Sequence, residues 1–137
     1  MNVESAYVPQ SKLRAGWLWW TLAYLLVAAT VYESLAPQPS GIPGLTSDKV
    51  QHFTGYFLLT TWFCGCARRG KYWLVALGML VLGGGMEIGQ YFMHNGREAD
   101  WYDMLANSLG VGAALTLAYL GLGNWSLWVE KLFRLQK

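Results

Sequence analysis

The chain has 137 residues, enough for one domain. Apolar types make up 54% and charged types 13%, with 8 Trp and 16 Gly; lipid tolerates Gly in helices and collects Trp at its interfaces, so the totals point to a membrane protein. The net charge of +2 comes without a basic stripe, which argues against nucleic acid as a partner.

Residues 1–16 form a polar tail with Lys12 and Arg14. The apolar run over 17–36 is too long for a signal peptide, opens with Trp17, Trp19 and Trp20, and lacks a small-x-small cleavage site. It predicts a first membrane helix, since about 20 apolar residues cross a bilayer. Residues 37–44 are rich in Pro and Gly and predict a loop. Thr46-Ser47-Asp48 has the chemistry of a helix N-cap, and a second helix follows over 48–67, with Asp48, Lys49 and His52 in its first turns. Arg68-Arg69-Gly70-Lys71 is a basic turn. Cys64 and Cys66, two apart, fall on different helix faces and predict no mutual disulfide.

A third helix is predicted over 72–93, where Gly85 and Gly89 make a small-xxx-small pair that admits a close neighbour. A fourth, over 103–122, carries Asn107, Gly110 and Ala114 at one-face spacing, a stripe that should meet protein and not lipid. In residues 124–137, Trp125, Trp128, Val129, Leu132 and Phe133 share one face, with Glu130, Lys131, Arg134 and Lys137 opposite. That pattern predicts a helix lying in the membrane interface. The expected fold is an all-α membrane protein: a four-transmembrane-helix bundle over 17–122 with a C-terminal interfacial amphipathic helix.

Basic residues concentrate in the first tail, the 68–71 turn and the last tail, whereas the other two loops hold only Arg97. The positive-inside rule then puts both termini in the cytoplasm and the opposite helix ends outside. Cys64 and Cys66 fall near the cytoplasmic side, where thiols stay reduced.

This orientation brings three polar stripes to one depth. Asp48, His52 and Tyr56 are spaced i, i+4, i+8; Glu87, Gln90 and His94 are spaced i, i+3, i+7; Asp100, Asp103 and Asn107 repeat the latter spacing. A charge inside an apolar segment costs roughly 2.5–3.5 kcal/mol on insertion scales, so such residues turn inward and mark a functional site by default. Several chemistries fit them. Lys49, Arg97 and the N-termini of the second and fourth helices suit an anion. Pairs such as Glu87–Arg97 and Lys49–Asp103 suit a purely structural clasp. His52 and His94 with the carboxylates offer metal-ligand types, but no fixed motif supports a metal, and no metal or other cofactor is expected. His52 or Glu87 suits general acid–base chemistry. Nothing in the spacing supports a Ser or Cys nucleophile.

Asp48-Lys49-x-x-His52-Phe53-x-x-Tyr56, Glu87-x-x-Gln90 and Gly96-Arg97-x-x-Asp100-x-x-Asp103-x-x-x-Asn107-x-x-Gly110 together resemble the VanZ-like family of small bacterial membrane proteins. The resemblance covers about residues 17–122. It implies a four- or five-helix protein of the bacterial cytoplasmic (inner) membrane, whose namesake is associated with resistance to teicoplanin. His52, Glu87, Gln90, Arg97, Asp100, Asp103 and Asn107 fall on that family's polar motif positions.

The leading expectation is a protein that binds an anionic amphipathic envelope molecule at the outer leaflet: a lipid-linked cell-wall precursor, a phospholipid or a lipoglycopeptide. Lys49 and Arg97 would hold the anion; Asp48, Tyr56, Gln90, Asp100, Asp103 and Asn107 would line the site with His52 and Glu87. The rival is a membrane-embedded hydrolase or transferase on a lipid-linked substrate, with His52 or Glu87 as the acid–base group. A third reading is an assembly subunit that docks a membrane protein partner.

Overall fold

The computed structural model describes residues 13–36, 47–93 and 99–133. Regular structure among them is helical throughout: α1 (Gly16–Leu35), α2 (Asp48–Cys66), a 3-10 turn (Arg69–Lys71), α3 (Tyr72–Met93), α4 (Trp101–Tyr119), a second 3-10 turn (Leu122–Asn124) and α5 (Trp125–Leu132).

The starts and stops follow local chemistry. Ser47 caps α2, its hydroxyl accepting from the Val50 N–H at 3.4 Å. Asp100 caps α4, its carboxylate accepting from the Tyr102 N–H at 2.9 Å. Both caps satisfy amide donors that the helix leaves orphaned. Beyond α4, Gly121 adopts φ 120°, which L side chains rarely reach, and the chain bends by 90° into α5.

Among the described residues, two helical stretches are long and apolar enough to cross a membrane: Gly16–Leu35 and Arg69–Met93. Trp101–Tyr119 with Leu122–Leu132 makes a third only if the bent pair counts as one span. The expectation of four spans is therefore met as two or three by length and composition. Asp48, Lys49, Gln51, His52 and several Thr and Gly dilute α2. Apolar side chains such as Leu25, Leu77, Val81 and Leu109 point outward, as lipid-facing residues do.

α2 sits centrally, packed against α1, α3 and, most extensively, α4. The α2–α4 approach is close because Gly110 faces the α2 backbone; a Cβ there would strike the Phe53 carbonyl oxygen and lie 3.0 Å from the Phe57 nitrogen. Asn107, Gly110 and Ala114 are all buried, so the predicted stripe does meet protein. On α3 one of the two expected glycines packs. Gly85 is exposed with nothing near it, whereas Gly83 rests against Asn107 and Tyr56 and Gly89 against Leu35. The buried apolar residues form two clusters, Ala23, Tyr56, Leu59, Phe63, Met79 and Val111 in one and Cys64, Tyr72 and Ala118 in the other.

The end of the chain corrects the predicted division of faces. α5 turns Ser126 and Glu130 into the bundle and leaves Trp128, Leu132 and Phe133 outward. Ser126 Oγ donates to the Gly65 carbonyl, and Trp125 Nε1 donates to the Thr61 carbonyl at 3.0 Å. Glu130, with no exposed surface, accepts from the Arg14 N–H (2.9 Å), the Ala15 N–H (3.0 Å) and Trp19 Nε1 (2.9 Å). It places a negative charge at the start of α1, where the helix dipole favours one. Trp19, Trp62 and Trp125 complete this end, with ring centroids 5.1–5.8 Å apart.

Candidate functional site

The opposite end of the bundle gathers the polar residues. The start of α2, the end of α3 and the start of α4 meet there, because α2 and α4 run against α3 and their polar turns fall at one level. The burial of an ionised or polar side chain is tolerable only with partners, and most partners are present.

Lys49 is the hub. Its ammonium donates to Asp100 Oδ2 at 2.5 Å and to Asp103 Oδ1, and lies 3.7 Å from Asp48 Oδ2. Asp100 is thereby anchored twice, through Lys49 and through its cap on α4. The Lys49 hydrogen bond, with the Tyr102 N–H, holds the Asp100 carboxyl below the usual carboxylate range.

His52 occupies the next layer inward. Its Nδ1 lies 3.1 Å from Asn107 Oδ1. An amide oxygen only accepts, so Nδ1 carries the hydrogen and Nε2 is left facing outward. Nε2 lies 3.5 Å from Asp103 Oδ2 and 3.8 Å from Asp48 Oδ1. Asp48, His52 and Asp103 each offer a ligand atom within 4.8 Å of the others, the arrangement a metal ion needs.

Glu87 joins α3 to this group: its Oε2 accepts from the Asp100 N–H at 2.9 Å. Gln90 joins α3 to α1, donating from Nε2 to the Ser34 carbonyl at 2.9 Å. Three buried atoms here, Tyr56 OH, Glu87 Oε1 and Gln90 Oε1, have no partner.

The structure thus brings together Asp48, Lys49, His52, Tyr56, Glu87, Gln90, Asp100, Asp103 and Asn107. Arg97 and His94 lie outside the described residues, so the expected Glu87–Arg97 pair does too. The expected Lys49–Asp103 pair forms. One expectation changes character: Lys49 and the helix N-termini were to hold an anion. Instead Asp100 and Asp103 engage the ammonium, Ser47 and Asp100 cap the two helices, and Lys49 is the one described cation beside Asp48, Glu87, Asp100 and Asp103. The described part of the site carries a surplus of negative charge.

Beside the cluster a cavity of about 290 Å³ opens between α1 and α2. Leu26 and Ala29 line it, as do Thr30, Glu33, Ser34, Asp48, Gln51, His52 and Tyr56. Sequence reasoning missed the α1 contribution. Glu33 and Ser34 interrupt the first apolar run near its end, and that interruption was the available signal.

No family model matches the chain, and no solved structure does. A fission-yeast (Schizosaccharomyces pombe) protein described as uncharacterized protein C11E3.10 is 37% identical over 100 residues, which are 70% of this chain and 59% of that protein. The chain therefore spans less than two thirds of that relative's length. The relative is eukaryotic, which overturns the expected bacterial cytoplasmic membrane and, with it, the assignment of the cluster to that membrane's external face.

Proposed function

We propose that this chain is a VanZ-like, four-span membrane protein that binds the polar head of a membrane amphiphile in the groove between α1 and α2. In the four-span reading α2 and α4 cross with α1 and α3. Each has 19 residues, about 28 Å at 1.5 Å per residue. The polar side chains of α2 are tolerated because the other three helices surround them.

The groove carries the reading. It joins an apolar stretch, Leu26 and Ala29, to a polar one that includes Glu33, Asp48, Gln51 and His52, the layout that a molecule with a tail and a head group needs. Acceptors predominate in its polar part, so the head group brings donors: an ammonium, or hydroxyls such as those of a lipid-linked envelope glycan. An added anion would meet the Asp48 carboxylate.

The test is native mass spectrometry of the protein purified in mild detergent and mixed with phosphatidylethanolamine or phosphatidic acid. Retention of the ammonium-bearing lipid, lost in Ala29→Trp, which fills the groove, is the expected result. Equal retention of both lipids, unchanged by Ala29→Trp, sinks the proposal.

A second reading, hydrolysis or transfer at that head group, has one observation in its favour. His52 lines the groove while Asn107 fixes its ring, which would put an oriented imidazole beside a bound molecule, where a general base is needed. Turnover of a labelled lipid-linked substrate that His52→Ala abolishes and Ala29→Trp weakens would support it.

A further inference from the structure

The way the oxygens of Asp48 and Asp103 divide between two neighbours carries a second, separate inference. Each carboxylate turns one oxygen to Lys49 and the other to His52. Asp103 gives Oδ1 to the ammonium and points Oδ2 at Nε2 from 3.5 Å; Asp48 points Oδ2 at the ammonium from 3.7 Å and Oδ1 at Nε2 from 3.8 Å. Lys49 therefore stands outside, holding both carboxylates in orientation. Asn107 does the same for the imidazole, accepting from Nδ1 and leaving Nε2 beside the two inner oxygens. Three potential ligand atoms lie within 4.8 Å of one another, a spacing that a positive charge between them stabilises.

We propose that His52 Nε2, Asp48 Oδ1 and Asp103 Oδ2 form a binding site for a divalent transition-metal ion of the zinc class. One imidazole with two carboxylates is a ligand set for zinc or its neighbours and not for calcium, which takes oxygens alone. Zinc bonds of about 2.0–2.2 Å at tetrahedral angles set ligands roughly 3.4 Å apart; the imidazole stands 3.5 and 3.8 Å from the two carboxylate oxygens, and all three atoms lie within 4.8 Å, so a bound ion would draw them in. Lys49 and Asn107 act as the outer partners that fix ligand orientation.

Unsatisfied atoms on the inner side give independent support. Tyr56, only 2% exposed, ends one turn beneath His52 in a hydroxyl without a partner, beside Asn107 at Gly83. Glu87 Oε1 also lacks one, and Glu87 is close enough to His52, Asp103 and Tyr56 for their charges to interact. A metal-bound water would accept from the phenol and donate to the carboxylate.

The site does not depend on the groove taking a lipid, and its readout is separate. The experiment is Zn²⁺ titration of the full chain in detergent after chelator treatment, followed by elemental analysis and by the visible absorption of the Co²⁺ form. One ion per chain is expected, with at least tenfold weaker binding in His52→Ala and in Asp48→Asn. Asp48 is exposed, so the latter variant keeps the fold. Ala29→Trp should leave metal binding intact. Asn107→Leu should cost about 10–100-fold, the usual effect of removing an outer partner. A wild-type protein that binds no zinc, its imidazole edge holding only a proton, overturns the proposal. So does zinc that survives both His52→Ala and Asp48→Asn, which would place the ion elsewhere, on Cys66 for example.

Discussion

Substituting Gly110 by Ala tests the central contact on which the site depends. A Cβ at this position would meet the Phe53 carbonyl oxygen at a separation that real Cβ atoms do not show, and the Phe57 nitrogen at 3.0 Å. Both are backbone atoms of α2, so no side chain can swing away; α4 must move. Overpacking of this kind costs about 1–3 kcal/mol, at the upper end when backbone is displaced. Ala gains roughly 1 kcal/mol over Gly in helix propensity. The net expectation is a loss of about 2 kcal/mol. Gly112, two residues on, has nothing within 4 Å and supplies the control. Gly112→Ala should be neutral or stabilising by up to about 1 kcal/mol. Thermal unfolding in a single detergent reads both. Because α4 also presents Asp103 and Asn107 to Lys49 and His52, Gly110→Ala should weaken ligand or metal binding as well. A Gly110→Ala protein as stable as Gly112→Ala, or more so, would refute the close approach of α2 and α4.

Three further outcomes follow from contacts at the two ends. Glu130→Gln leaves a single acceptor oxygen for three donors and removes the charge at the start of α1. It should cost about 1–3 kcal/mol in thermal unfolding, and an unchanged midpoint would count against the α5–α1 tie. Trp125→Phe keeps most of the aromatic packing but loses the bond to the Thr61 carbonyl, for an expected loss of about 1 kcal/mol by the same assay; full stability would mean that the bond contributes nothing. Asp100 has a depressed carboxyl in the folded chain, so its contribution is present above the unfolded value near about 3.9 and fades as pH falls through the lower folded one. Denaturant midpoints between pH 6 and pH 3 should therefore show an acid limb below about pH 4 that shrinks in Lys49→Met. An identical limb in both proteins would refute the Lys49–Asp100 coupling.

Helical spacing was enough to gather the site. Asp48–His52–Tyr56 and Asp103–Asn107 each repeat near the helical period within strongly apolar surroundings, so each stripe had one way to face, and all five residues are found together. The start of α2 was legible for a local reason, a Ser side chain that satisfies a free amide, whereas α4 starts at Trp101, ahead of the expected 103, because Asp100 caps it. Tertiary detail was less accessible. Gly83 and Gly85 are indistinguishable by composition, and only the height of Tyr56 and Asn107 on the facing helices decides that Gly83 is the packed one. Glu130 misled because the polar face of a short amphipathic helix ordinarily meets water; here three N–H donors from the start of α1 replace the water. Nothing local to residues 124–137 announces those donors, which lie 111–116 residues away in sequence.

The charge of the ligand illustrates the same limit more sharply. A lysine at the start of α2, near two helix N-termini, suits an anion as long as its partners are unknown. Once Asp100 and Asp103 engage it, the ammonium contributes order and has little attraction to spare, because a cation already hydrogen-bonded to two carboxylates gains little from a third. Asp48 at the groove and the inner oxygens around His52 Nε2 then govern what enters. Both the donor-bearing head group and the divalent ion answer that surplus. They act at different depths: the head group along the α1–α2 groove, the ion one layer inward between α2 and α4. Ala29→Trp therefore separates them, because it blocks only the groove, whereas Asp48→Asn removes a carboxylate common to both.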